Sequence, residues 1–413
     1  MPQLPAAKGK LQLTAEPSSP LSIGSLPPGR VDALYVHVPF CAHKCHYCDF
    51  YSITRQPIER MERFVDLVLA EAGLWTQGAS PALVIRPRTI FFGGGTPSLL
   101  PLEPMRRLLA GIAELFDLSQ VNEWTVEVNP ATASDEYCRM LRESGPDRLS
   151  FGAQSFDPAE LAVLERHHDP LDVGRSIAAA RAAGFTRLNL DLIYAVPGQT
   201  IESWQRSLEA ALELEPPHLS CYGLTYEPNT PLAVRKRMGR VSAVEESLEL
   251  AMMHLTRRRL ADAGRPAYEI SNFAIPGEEC RHNLLYWTGG NYIGLGPAAA
   301  SHVEGWRWRN RPHLGEWERA LADRQLPAIE AETLTPAARH GELAMLMLRL
   351  SRGLNFSDFA DRTGRDARKL FAEPIQRLVP NGLLSIDQTA LRLTDRGLEV
   401  ADAVAAEFLN ALA

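Results

Sequence analysis

Tyr35-Val-His-Val-Pro-Phe-Cys-Ala-His-Lys-Cys-His-Tyr-Cys-Asp-Phe-Tyr-Ser52 holds three of the chain's six cysteines within eight residues. Cys41, Cys45 and Cys48 stand at Cys-x3-Cys-x2-Cys spacing, directly after an apolar run from Leu34 to Phe40 that reads as a strand. Thiolates crowded on a short loop suit a soft metal centre. Disulfides fit poorly, because three neighbouring cysteines leave one unpaired. Two kinds of centre remain. Zinc would take the three thiolates with His43 or His46 as a fourth ligand. A four-iron cluster normally takes a cysteine on every iron, so three thiolates leave one iron open to a small chelating ligand.

Outward from this loop the chain alternates. Pro57 opens a segment whose apolar positions, Met61, Phe64, Val65, Val68, Ala72 and Trp75, form one helical stripe. Thr89-Ile-Phe-Phe92 reads as a strand running into Gly93-Gly-Gly-Thr-Pro-Ser98, and a helix is predicted from about 104 to 116. Strand patterns recur at 123–129, 148–154, 187–194 and 218–225, with helices predicted near 134–143 and 201–213. Six strands alternating with helices predict an α/β fold, a parallel sheet covered by helices. Periodicity does not say whether that sheet curls or lies flat. In both cases ligands gather beyond the C-terminal ends of the strands.

Beyond Pro228 the pattern changes, and from about Thr335 three helices, an alternating stretch at 383–393 and a last helix suggest a small winged-helix-like α+β module. The first 30 residues hold six prolines and no apolar core of a signal peptide, so they are expected to form a disordered extension. With 413 residues, 45% hydrophobic and 23% charged, the chain has material for a large core. A net charge of −7 argues against general binding of polyanions, and no apolar run is long enough to span a membrane. The expected compartment is a reducing cytoplasm. Gly305-Trp-Arg-Trp-Arg-Asn-Arg-Pro312 interleaves bases with aromatics but is expected to be a solvated hairpin, and no nucleic-acid partner is expected.

The cysteine loop resembles the radical S-adenosylmethionine superfamily, in which that cofactor binds the open iron of a [4Fe-4S] cluster through its amino and carboxylate groups. The resemblance implies a partial (β/α)6 TIM-like barrel at 31–230, a connecting and haem-site region at 231–334 and the module at 335–413. It implies Cys41, Cys45 and Cys48 as cluster ligands. It also places Tyr35, Tyr47, Gly94, Gly95, Thr96, Glu127, Gln154, Arg166 and Asp191 around S-adenosyl-L-methionine. In chemical terms a carboxylate accepts ribose hydroxyls and an arginine meets a carboxylate in a bidentate pair. As an ordered set, with Val196-Pro-Gly-Gln-Thr200, these residues are similar to those of the oxygen-independent coproporphyrinogen III oxidases.

Two departures choose within that family. Phe50 stands where the oxidases carry a further cysteine, and His282-Asn283-Leu284-Leu285-Tyr286-Trp287 is a stretch they lack. Both resemble the family's haem-chaperone branch, which implies haem as ligand and acceptor haemoproteins, respiratory enzymes among them, as partners. His282, Asn283, Tyr286 and Trp287 are then the expected haem contacts, with His282 as an imidazole ligand to iron and Cys280 as a weaker one. The alternative is an oxidase that decarboxylates coproporphyrinogen III, and no catalytic residue is assigned. Peripheral contact with membranes is compatible with such acceptors.

Overall fold

A computed structural model describes residue 21, residues 23–78 and residues 83–412. Of the expected N-terminal extension, residues 1–20 and 22 lie outside the described residues. Its remainder is ordered: Leu21, Ile23 and Leu26 are buried in the main core, and the first strand starts at Gly29.

Six parallel strands stand side by side in chain order: β1 (Gly29–Val38), β2 (Leu83–Gly94), β3 (Glu123–Val128), β4 (Arg148–Gln154), β5 (Arg187–Tyr194) and β6 (His218–Gly223). Helices α1 (Ile58–Gly78), α2 (Leu102–Leu115), α3 (Asp135–Glu143), α4 (Pro158–Val163), α5 (Pro170–Ala182) and α6 (Ile201–Glu213) connect them. This is the expected six-strand unit, and it does not close.

Residues 231–334 extend the sheet at both edges. After α7 (Pro231–Arg237) and α8 (Glu246–Asp262), β7 (Asn272–Ala274) pairs antiparallel with β6. After α9 (Arg281–Trp287), β8 (Tyr292–Leu295) pairs parallel with β1. β9 (Ala300–Val303), β10 (Trp306–Asn310) and β11 (Ala328–Thr333) follow antiparallel. The Trp-Arg repeat is therefore a strand of the sheet and not a solvated hairpin: Trp308 is buried, Arg307 pairs with Glu332 and Glu342, and Arg309 pairs with Glu330.

The stripe of α1 buries the six apolar residues its spacing predicted, and one more that it did not, Glu71. Fully buried, Glu71 accepts hydrogen bonds from Gly296 N, Asn310 Nδ2 and Trp317 Nε1 at 2.8, 2.6 and 2.9 Å. It ties α1 to the sheet extension and to α10 (Leu314–Ala322). Burial pushes its carboxyl from 4.5 up to about 8, against the pull of the three donors. A group whose pKa rises on folding stabilises the native state fully below its unfolded value, and that contribution is lost as the pH climbs through the folded value. Between pH 4.5 and about 8, Glu71 is expected to remove about 1.4 kcal/mol of stability per pH unit. Urea unfolding across this range should show that slope in the natural chain and not in an E71Q chain.

The tail folds around a core of its own, with Met347, Phe359, Phe371 and Phe408 at its centre. It starts with α11 (Pro336–Leu348) and ends with the helix Ala401–Asn410; between them Leu354–Asn355, Ala390–Leu393 and Leu384–Ile386 form a three-stranded sheet. Helices followed by a strand hairpin and a last helix match the winged-helix-like order expected.

Candidate functional site

The cysteine loop is pinned at its base. Phe40–Cys41 pairs with Ile53–Thr54 in a short parallel bridge, and Lys44 Nζ donates to Phe50 O and to Ser52 Oγ. Cys41, Cys45 and Cys48 are free and half-buried. Burial pushes the Cys41 and Cys48 thiols up, Lys44 pulls both down, and each also senses the other cysteines of the loop. Thr96 Oγ1 lies 3.7 Å from Cys41 Sγ, and Arg166 Nη1 lies 3.8 Å from Cys45 Sγ. Donors and positive charge beside thiolates suit an anionic sulfur cluster.

Zinc fits less well. Its ligands must converge on one ion, and no group of three or more His, Cys, Asp or Glu among the described residues does so. A four-iron cluster asks for less convergence, because each thiolate meets a different iron. Of the two histidines of the loop, His43 stacks on His167, bonds Glu165 O and has its Nε2 3.7 Å from Cys45 Sγ, while His46 meets Arg235 Nη1 at 3.2 Å and Glu165 at 3.7 Å.

Next to the loop, alternate residues of the strands point to the concave side of the sheet. Tyr35, Glu127 and Asp191 lie there half-buried, Glu127 within electrostatic reach of the other two. Burial, then Asp191, raises Glu127 to about 8, with Gly94 N donating to its Oε2 at 3.2 Å. Asp191 is also raised by burial, although Ser150 and Asn189 donate to it at 3.1 and 2.8 Å. Burial raises Tyr47 above the ordinary phenol value, and Arg166, Cys45, Cys48 and Asp191 surround it. Arg166 donates to Gly152 O at 2.6 Å, while its buried Nε has no hydrogen-bond partner among the described residues. Gln154 stands in a left-handed conformation, φ 64°, in the same neighbourhood. An orphaned guanidinium donor beside half-buried carboxyls is a donor set that a ligand with a carboxylate and hydroxyls would satisfy.

The glycines also have a packing role. A Cβ on Gly94, at φ +101°, would meet the His37 ring at 2.4 Å, and one on Gly95 would meet Val38 O at 2.6 Å. They let the end of β2 lie against β1 and the cysteine loop. Gly95 N and Thr96 N donate to Val38 O and Phe40 O at 2.8 and 2.7 Å. His37 itself was missed. Its ring nitrogens lie 3.1 Å from Tyr35 OH and 2.8 Å from Tyr51 O, so it links the half-buried tyrosine to the loop, and two-residue alternation from Tyr35 was the available signal.

The His-Asn-x-x-Tyr-Trp stretch lies at the other end of the strands. It is helix α9, which plugs the N-terminal end of the concave side. Glu123, at the start of β3, accepts from Arg281 N and His282 N, both at 2.9 Å, and pairs with Arg187 at 2.7 Å. The expectation that His282 ligates iron meets a correction: the residue is 1% exposed, its Nδ1 lies 2.9 Å from Thr89 Oγ1, and its Nε2 lies 2.7 Å from Tyr286 OH. Burial holds it at a pKa of about 4. Cys280 is buried against Glu123 at 3.3 Å, its thiol pushed up to about 12. Asn283 bonds Tyr268, and Trp287 lies under Arg349, 5.1 Å from the ring centre. The polar contacts of this helix hold it in place. Its other face, Leu284 and Leu285, borders a cavity of about 1220 Å³ between the sheet and the C-terminal module.

Comparison with known proteins places this arrangement. A family model for the radical SAM superfamily matches residues 35–211, and one for the HemN C-terminal domain matches 334–400. The haem chaperone HemW of Lactococcus lactis is 34% identical over 92% of this chain and 97% of its own length. HemW of Mycobacterium tuberculosis is 38% identical over 93% and 96%. The coproporphyrinogen III oxidase HemN of Escherichia coli, a radical SAM enzyme by its published description, superposes with a TM-score of 0.81 at 23% identity, over 94% of this chain and 92% of that one. That superposition concerns the fold, six parallel strands and the C-terminal module included.

Proposed function

The chain belongs to the family of the haem chaperone HemW, within the radical S-adenosylmethionine superfamily, and from this premise we propose that it binds haem and passes it to acceptor haemoproteins. The observation that carries the reading is the extent of the likeness: the haem chaperones of Lactococcus lactis and Mycobacterium tuberculosis match over 97% and 96% of their own length. The match spans the cysteine loop, the plug helix and the C-terminal module.

In this reading Cys41, Cys45 and Cys48 hold a [4Fe-4S] cluster. Tyr35, Tyr47, Gly94, Gly95, Thr96, Glu127, Gln154, Arg166 and Asp191 surround S-adenosylmethionine. When bound, the cluster supplies one-electron reduction of that cofactor, the chemistry of the superfamily. The chain's own contribution is positional. Thr96 and Arg166 donate toward the thiolates, the half-buried Glu127 and Asp191 accept hydroxyls, and Arg166 Nε, without a hydrogen-bond partner among the described residues, meets a carboxylate. Acceptors include respiratory haemoproteins, reached from a reducing cytoplasm; no helix among the described residues is long and apolar enough to cross a membrane.

The test is anaerobic reconstitution with iron and sulfide, haem titration followed by absorption, and transfer to an apo-haemoprotein. Stoichiometric binding with transfer is the expected result. Absence of haem binding together with conversion of coproporphyrinogen III to protoporphyrinogen IX would replace the chaperone by the oxidase.

A further inference from the structure

The cavity beside α9 has the chemistry of a haem site, and we infer that haem binds there, between the plug helix and the C-terminal module, with His340 as its iron ligand. The inference rests on the chaperone reading and adds a place to it.

Size is the first argument. At about 1220 Å³ the space is at least as large as the roughly 300–1,000 Å³ of most small-molecule pockets and has room for a macrocycle. Its walls are the second. From one side Leu284 and Leu285 face it, the two positions of the His-Asn-x-x-Tyr-Trp stretch that the sequence leaves unspecified. From the other side α11 and the turn after it present His340, Leu343, Leu346 and Leu350. Steps of three and four residues put these four on one face.

The ligand follows from elimination. Of the chain's eleven histidines, His302 and His340 line the cavity. His302 is committed through both ring nitrogens, to Gly290 O at 3.0 Å and Gly305 N at 3.2 Å. His340 is half-buried and makes an edge contact with Phe359; among the described residues no hydrogen bond engages its nitrogens. Burial, then Arg365 and Arg339, keeps it below the ordinary imidazole pKa, so at neutral pH it presents a free lone pair.

Charge completes the match. The cavity's acidic side chains are largely spoken for: Asp32 pairs with Arg30, Glu304 with Arg339, and Glu342 with Arg307. Arg88, from β2, and Arg362, from the module, line the cavity with no acidic partner among the described residues. Two unpaired guanidinium groups are suited to the two propionates of a haem.

The experiment uses the full chain and ferric haem, followed by the Soret band and spin state. H340A is expected to weaken affinity at least about tenfold and to change the spectrum. H340M should retain binding with a shifted spectrum, and L346W, which narrows the cavity, should weaken binding. H313A, at an exposed histidine whose ring has no hydrogen-bond partner among the described residues, should behave as the natural chain does. Near-ultraviolet dichroism and the thermal midpoint report whether each variant is folded. A folded H340A chain with unchanged affinity and spectrum would overturn the site and leave the chaperone reading standing. Failure of the natural chain to bind haem at all would overturn both.

Discussion

Serine in place of Cys41, Cys45 or Cys48, one at a time, is expected to abolish the iron retained after anaerobic reconstitution while leaving the unfolding midpoint nearly unchanged. The two halves of this result have separate causes. A hydroxyl is a poor substitute for a thiolate on iron, and a three-cysteine set has no spare ligand. The thiols are half-buried, and apart from the long contacts from Thr96 and Arg166 they carry little of the loop's hold on the sheet. That hold comes from the Phe40–Cys41 bridge and from Lys44. Cys138 and Cys221 provide the contrast, since both are buried in the main core. Serine there should lower the midpoint and leave the iron content intact. Iron analysis beside thermal unfolding reads both effects, and retention of iron by any of the three loop variants would remove that residue from the ligand set.

The second large effect belongs to Glu123. Fully buried, this carboxylate accepts two backbone donors at the start of α9 and pairs with Arg187, whose other contacts are Asp147 at 3.1 Å and Glu278 at 3.3 Å. Arg148 and Arg187 hold its pKa down in spite of burial. Truncation to alanine orphans two N–H groups and removes a carboxylate that pairs with Arg187 and acts on the buried Arg148. Removing one member of a buried pair usually costs about 3–5 kcal/mol, and a loss of that order is expected for E123A in urea unfolding. A loss under about 1 kcal/mol, the value of a surface pair, would show that α9 is held by its apolar contacts instead. Because the lost carboxylate seats α9, haem affinity should fall with it.

How far the sequence could be read depended on how local the signal was. The six parallel strands were legible because each is a short apolar run ending at a turn and followed by a helical stripe, as Thr89–Phe92 and the stripe from Met61 to Trp75 illustrate. The sheet extension was not legible, since β8 to β11 are short and mixed in pattern, and β8 takes its partner from the far end of the chain, Tyr292 opposite Ala33. Glu71 was missed although it sits three residues after Val68 and four before Trp75, on the buried face. A charge in a stripe reads as a surface residue until its donors are known. In the site, motif order named the cysteines, Arg166 and Asp191, and the structure sets them near one another around Tyr47. The role of His282 was not: His282 and Tyr286 are four apart and share a helix face, but sequence alone does not say which face turns inward.

β1 leaves the ribosome long before one of its two neighbours, and the order in which they arrive has a consequence for biogenesis. One neighbour, β2, follows within about sixty residues, whereas the other, β8, begins at Tyr292. Throughout synthesis of the intervening chain, a ten-residue strand rich in buried valine and leucine therefore keeps one row of backbone donors and acceptors unpaired. Open edges of this kind template pairing between chains, and closing one over so long a separation is slow. The nascent protein thus carries its most adhesive edge for most of its elongation, and its yield in the cell depends on what shields β1 until β8 is made.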